Sequence, residues 1–277
     1  MSTELIQLAV ADKIATITIN RPEKHNAVTN AMWEEIFTTM SSLRPREDVS
    51  VIILKGAGKS FCVGPDLNEP LESFPSATGN PWFEEVDRLH DRWKSYREVI
   101  WRLPQPVIAQ VQGNLFTIGL ELAMQCDLVV AADDAKLTLR SLGGAGFLVH
   151  MWPWLLGVRK AKELLFMGAQ ISGTEAARLG MVNAAVPLDQ LDEHVMIMAR
   201  QIAKVPIAFL ALEKRACNFC HDQMGVPAAI EHSEALRAIG YLTKESLAVR
   251  DKMFSDNWRE GVKMRNSSYD SGKPSDA

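Results

Sequence analysis

Two stretches of this 277-residue chain have the residue types needed to hold a negatively polarised oxygen on backbone N–H groups. The first is Gly56-Ala57-Gly58-Lys59-Ser60-Phe61-Cys62-Val63-Gly64-Pro65-Asp66-Leu67, a turn of small residues after an apolar strand. The second runs from Gln110 to Asp127 through Gly113, Thr117, Ile118 and Gly119, where a strand passes into the head of a helix. N–H groups in the first turn of a helix have no acceptor within it, and the helix dipole adds partial positive charge there, so an anion is favoured. Taken singly, either stretch is also compatible with an ordinary strand-to-helix turn. One turn into that helix stands Glu121, flanked by Leu120, Leu122 and Ala123. A carboxyl on a largely buried helix can move protons near neutral pH if burial raises its pKa. His150, inside Phe147-Leu148-Val149-His150-Met151-Trp152-Pro153-Trp154, is a second proton-transfer candidate, set against the plainer reading of a core histidine.

Cys217-Asn218-Phe219-Cys220-His221 has the spacing of a haem-attachment motif, but it falls in a helical run beginning near Ile207. A zinc site would need a second ligand pair at matching spacing, and none follows. The expectation is therefore no metal and four reduced thiols.

The elements that must carry these groups follow from periodicity. Leu5 to Val10 and Ile14 to Ile19 alternate in polarity about Asp12-Lys13 and read as a hairpin. Met32, Ile36, Met40 and Leu43 recur at helical spacing in a helix entered near Asn30. Short apolar runs at Val51 to Leu54, Val107 to Val111 and Leu128 to Ala131 read as buried strands, with a helix from about Trp82 to Leu103 and another from Thr117 to Cys126. The Pro/Gly/Ser-rich stretch Leu71 to Pro81 has the composition of a surface loop and could serve as a lid. This succession predicts a layered α/β core over residues 1–205. Residues 206–277 read as helical, with Leu210, Leu212, Ile230, Leu236, Ile239 and Leu242 on an apolar face that the body or another subunit must cover. The tail after Ser267 is expected to fray.

The order of the motifs resembles the crotonase superfamily, the enoyl-CoA hydratases and isomerases. Ile17 to Ala27 resembles its strand and acyl-CoA-binding turn, and Ser60 to Leu67 its first oxyanion segment. Ile108 to Asp127 resembles the second oxyanion segment, and Gly168 to Asn183 the passage after the active site. The resemblance implies an α/β spiral of ββα units with a helical C-terminal oligomerisation region, assembled as a homotrimer or dimer of trimers. It implies an acyl-CoA or related carbonyl substrate, no cofactor beyond the CoA carried by the substrate, and lyase or isomerase chemistry through an enolate. Glu121 falls on one of the family's two carboxylate positions, and the N–H groups of Ile118, Gly119 and Gly64 are the candidate oxyanion donors. Lys24, Ala27, Lys59, Asp66, Ser141 and Trp152 are expected around the substrate.

Three departures bear on the chemistry. Ser141 stands where a hydratase presents its second carboxylate, and no Asp or Glu occurs from Lys136 to Leu156, which disfavours water activation between two carboxyls. Pro65 stands where the first segment normally offers its N–H, and proline has none. Gly64 or Asp66 must substitute, or the hole is reduced to the Ile118 side. Asn68 replaces a common lysine among the nucleotide contacts. His150 near Trp152-Pro153 also resembles superfamily members that cleave cyclic diketones without CoA, a competing reading. A catalytically silent acyl-CoA-binding homologue is the third.

A net charge of −4 without basic clusters gives no footprint for nucleic acid, and no apolar run is long enough to span a bilayer. With no export signal at the N-terminus, a cytoplasmic protein is expected.

Overall fold

Polarity alternation on either side of Asp12-Lys13 becomes an antiparallel pair, β1 (Ile6–Ala11) and β2 (Ile14–Ile19), in register from Ile6 opposite Ile19 to Ala11 opposite Ile14. Both turn residues have positive φ, 51° and 64°, the conformation whose twist matches a two-residue hairpin. The computed structural model describes residues 4–69, 96–138, 140, 151–241, 243–253, 255 and 257–269. The expected lid at Leu71 to Pro81, most of the helix expected from Trp82, and Ser141, His150 and Leu242 lie outside the described residues.

After β2 the chain crosses a short 3-10 turn (Pro22–Lys24) into α1 (Asn30–Leu43), where the Thr29 hydroxyl caps the helix by accepting from the Met32 N–H. The buried side of α1 is the predicted stripe of Met32, Ile36, Met40 and Leu43, widened by Trp33 and Phe37. It covers a sheet continued by β3 (Val51–Gly56), β4 (Val107–Val111), β6 (Leu128–Ala132) and β9 (Ala184–Val186), in spatial order β1-β2-β3-β4-β6-β9. From β2 onward the neighbours are parallel. All five residues of β4 are buried, as a parallel strand covered on both faces requires.

A second sheet of three-residue strands, β5 (Asn114–Phe116), β7 (Lys136–Thr138) and β8 (Gln170–Ser172), in the order β5-β7-β8, was not predicted. Three residues are too few for period-two alternation to register. Helix α2 (96–102) precedes β4, and α3 (Ile118–Gln125) connects β5 to β6. Helices α4 (Trp152–Leu156), α5 (Val158–Met167), α6 (Gly173–Arg178) and α7 (Leu188–Ile202) follow β7.

From Ile207 the described chain is helical, as α8 (Ile207–Gln223), α9 (Val226–Tyr241), α10 (Lys244–Met253) and α11 (Trp258–Ser267). One buried lysine ties α8 to the body. Lys214 Nζ donates to the Ile100 carbonyl at 2.8 Å, the Gln105 carbonyl at 3.2 Å and Asp127 Oδ2 at 2.7 Å, which uses all three ammonium hydrogens. The expected apolar face of this region divides. Leu210 and Ile230 are buried, whereas Leu212, Leu236 and Ile239 remain exposed. Cys217 and Cys220 are free, exposed thiols on α8. Among the described residues no single helix is long and apolar enough to cross a membrane, and no cluster of three or more His, Cys, Asp or Glu could hold a metal ion.

Candidate active site

The parallel sheet delivers both small-residue segments to one place. The turn after β3 is held from two sides. Gln112, leaving β4, donates from Nε2 to the Gly56 and Gly58 carbonyls at 2.7 and 3.2 Å. The fully buried Asn26 donates to the Ala57 and Ser60 carbonyls at 2.9 and 2.7 Å and accepts from the Arg21 N–H at 2.8 Å. These bonds draw the Arg21–Ala27 loop onto the Gly56–Ser60 turn, so Lys24 and Lys59, both exposed, sit on adjoining loops. Ala27, buried between them and the core, donates its N–H to the Lys24 carbonyl at 3.0 Å.

The two segments then meet. The Phe116 N–H donates to the Cys62 carbonyl at 3.3 Å, and a side chain at Gly119 would collide with that carbonyl. Gly64, at φ +105°, packs so closely on the Thr117 hydroxyl that a side chain there would collide with it. Thr117 itself has φ 46° and ψ −120°, a strained backbone for a β-branched residue, and its buried Oγ1 has no hydrogen-bond partner among the described residues. Cys62 lies in this junction as a fully buried thiol whose pKa burial pushes up to about 12, so it is an inert packing group.

Helix α3 begins immediately after Thr117. Its first closed bond is the Glu121 N–H to the Thr117 carbonyl at 3.0 Å, and no side chain caps it. Among the described residues the N–H groups of Ile118 and Gly119 have no acceptor, and neither does that of Gly64. The structure thus brings together the three backbone donors predicted from the sequence. It also separates the two substitutes for Pro65, because the Asp66 N–H is taken by the Val28 carbonyl at 2.8 Å, which leaves Gly64.

The Asp66 side chain is engaged as well. It accepts from Arg21 Nη1 at 2.7 Å and from the backbone and side-chain N–H of Asn68, both at 2.9 Å. Burial pushes its pKa up, but the Asn68 N–H and the Arg21 guanidinium outweigh that and hold it below the usual carboxylate range. Asp66 and Asn68 therefore brace the turn. Trp152 is buried in the main core, and Ser141 and His150 lie outside the described residues.

Glu121 is buried, with only 2% of its side chain exposed, and its Oε1 accepts from Arg237 Nη2 at 3.3 Å. Arg237 comes from α9 and is equally buried. No sequence signal could have found this partner, since it lies 116 residues away on a helix read only for its apolar face. A cavity of about 510 Å³ lies at the opposite end of α3, lined by Trp101, Met124, Cys126, Met151, Leu210 and Lys214, and is separate from the donors at the helix head.

Residues 10–237 match the profile described as "Enoyl-CoA hydratase/isomerase". The chain is 36% identical over 236 residues to EchA13 of Mycobacterium tuberculosis, covering 79% of this chain and 74% of that protein. It is 33% identical over 246 residues to human enoyl-CoA hydratase domain-containing protein 2, mitochondrial, covering 87% of this chain and 80% of that one. Among solved structures, the enoyl-CoA hydratase of Mycobacterium smegmatis superposes with a TM-score of 0.84 at 28% identity, covering 96% of this chain and 94% of that chain. With the motif order, the layered α/β core and the helical C-terminal region in agreement, the chain belongs to the enoyl-CoA hydratase/isomerase family and has the crotonase fold.

Proposed function

We propose that this protein is an acyl-CoA-processing lyase or isomerase that works through an enolate, with Glu121 moving the proton and the N–H groups of Ile118 or Gly119 and of Gly64 holding the thioester oxygen. The observation that carries this reading is the juxtaposition of an uncapped helix head with a buried carboxyl one turn further along the same helix. An enolate formed beside a thioester concentrates charge on one oxygen. Each preorganised donor aimed at that oxygen contributes on the order of 3 kcal/mol to lowering the barrier. Lys24 and Lys59, on loops pinned together by Asn26, supply cationic positions for the CoA phosphates. CoA arrives as part of the substrate, and no further cofactor is required. With Ser141 in place of a second carboxylate, chemistry carried by one carboxyl is favoured over two-carboxylate hydration.

A homotrimer or dimer of trimers belongs to the same proposal, supported by the apolar side chains that α8 and α9 leave exposed. A cytoplasmic setting also belongs to it, although several relatives are named as mitochondrial. The test is Glu121→Gln assayed with straight-chain enoyl-CoA thioesters. Turnover should fall by about 1,000-fold or more while thioester affinity stays within about three-fold, because the amide keeps the shape and cannot accept the proton. Unchanged turnover would remove Glu121 from the mechanism.

A further inference from the structure

The candidate base does not stand alone. Glu121 and Arg237 each expose 2% of their side chains, and they face one another across α3 and α9 with 3.3 Å between Oε1 and Nη2. No residue of α3 carries positive charge, and among the described residues Arg237 on the C-terminal helix α9 brings a cation to Glu121. A carboxylate this deep without a counter-charge would take up a proton, because isolated buried charge is far costlier than a pKa shift. A guanidinium cannot relieve the situation by losing its own proton. The guanidinium thus offers a fixed positive charge that offsets the cost of ionising Glu121 at this depth.

We infer that Arg237 is a positioning residue for the reaction: it keeps Glu121 in the carboxylate form and fixes its place beneath the donors at the head of α3, so that the site is complete only when α9 is docked. This rests on the reading of Glu121 as the proton-transfer group. The contact length is relevant, since charge-assisted N–H···O bonds close to about 2.7–2.9 Å when the partners clamp each other. At 3.3 Å, the contact from Arg237 Nη2 to Glu121 Oε1 is longer than that range. The step it supports is balanced within the site. Glu121 accepts the α-proton of the thioester, the C–H electron pair becomes the enolate, and the negative charge settles on the oxygen held by the N–H donors. Returning the proton to carbon regenerates the carboxylate beside the unchanged guanidinium.

The test uses the full chain with butanoyl-CoA in D2O, following deuterium entry at the α-carbon by NMR for wild type, Arg237→Met, Arg237→Lys, Glu121→Gln and the Glu121→Gln/Arg237→Met double variant. Carboxyl bands are read in parallel by infrared difference spectroscopy. Arg237→Met should slow exchange at saturating thioester by about 100-fold, with KM within about two-fold, as displacement of a reacting group does. Arg237→Lys should recover about ten-fold of that loss, and Arg237→Met should add nothing on the Glu121→Gln background. A protonated-carboxyl band that Glu121→Gln removes should be absent from wild type and present in Arg237→Met. Wild-type exchange in Arg237→Met, or equal loss on both backgrounds, overturns the assignment. Should Arg237→Met fail to fold, a Glu121-dependent protonated band in wild type, or no difference between Arg237→Lys and wild type in both rate and spectrum, overturns it instead. If wild type exchanges no α-proton, or Glu121→Gln exchanges as fast as wild type, the reading of Glu121 fails, while the infrared bands still decide whether Arg237 holds it ionised.

Discussion

Gly64 and Thr117 show how tightly the donors are held. The Gly64 backbone is at φ +105°, where L side chains are strained, and the Thr117 hydroxyl occupies the space a Cβ would need. Gly64→Ala should therefore lower stability by about 1–3 kcal/mol, the usual cost of a forced backbone conformation, as read by urea unfolding. Alanine keeps the backbone N–H, but the forced shift moves it away from the position proposed for the donor that replaces Pro65, so turnover should fall by up to about 100-fold, the cost of disabling one oxyanion donor. Loss of stability with full turnover in the folded fraction would mean that the hole works from the Ile118 side alone.

At the scale of elements, the site depends on loops being fastened to the sheet rather than on the sheet itself. Arg21 links two of them, donating through Nη1 to the Ala27 carbonyl of its own loop at 3.1 Å and to Asp66 at 2.7 Å. Arg21→Gln should cost about 1.5–3 kcal/mol at neutral pH, the range for a hydrogen bond to a charged group. The pH dependence has a definite sign. The folded pKa of Asp66 is lowered, so its contribution is complete above the unfolded value and is lost as pH falls through the lower folded one. The wild-type advantage should thus be constant at neutral pH, begin to shrink once pH falls below the usual carboxylate range, and be lost as pH passes the still lower folded value of Asp66. Chemical denaturation of both proteins across that range measures it, and a gap that persists at the acid end would assign the effect to the Ala27 carbonyl contact.

At the scale of the whole molecule, α8 turns one stripe toward solvent. Phe209, Leu212 and Phe219 are 61%, 62% and 61% exposed and fall on one face at helical spacing, while Ile239 on α9 is 62% exposed. Apolar side chains left exposed at helical spacing are the face on which the proposed assembly would form. Light scattering should give three or six times the chain mass, and Leu212→Asp should release monomers with the fold intact by circular dichroism. A monomeric wild type would refute the assembly.

The same comparison of scales separates what was legible in the residues from what was not. The hairpin, α1, β3, β4, α3 and β6 follow from local pattern, because period-two and period-3.6 burial is written in neighbouring side chains. The motif order pointed to the family, and that resemblance named Gly64, Ile118 and Gly119 as candidate donors, while helix position by itself locates N–H groups without acceptors only at the head of α3. What folding alone decided is which groups are already spoken for. The Asp66 N–H is taken by Val28, the Asp66 carboxylate by Arg21 and Asn68, and Glu121 meets Arg237 across 116 residues of chain. Such pairings depend on loop and helix placement in three dimensions, for which periodicity carries no signal.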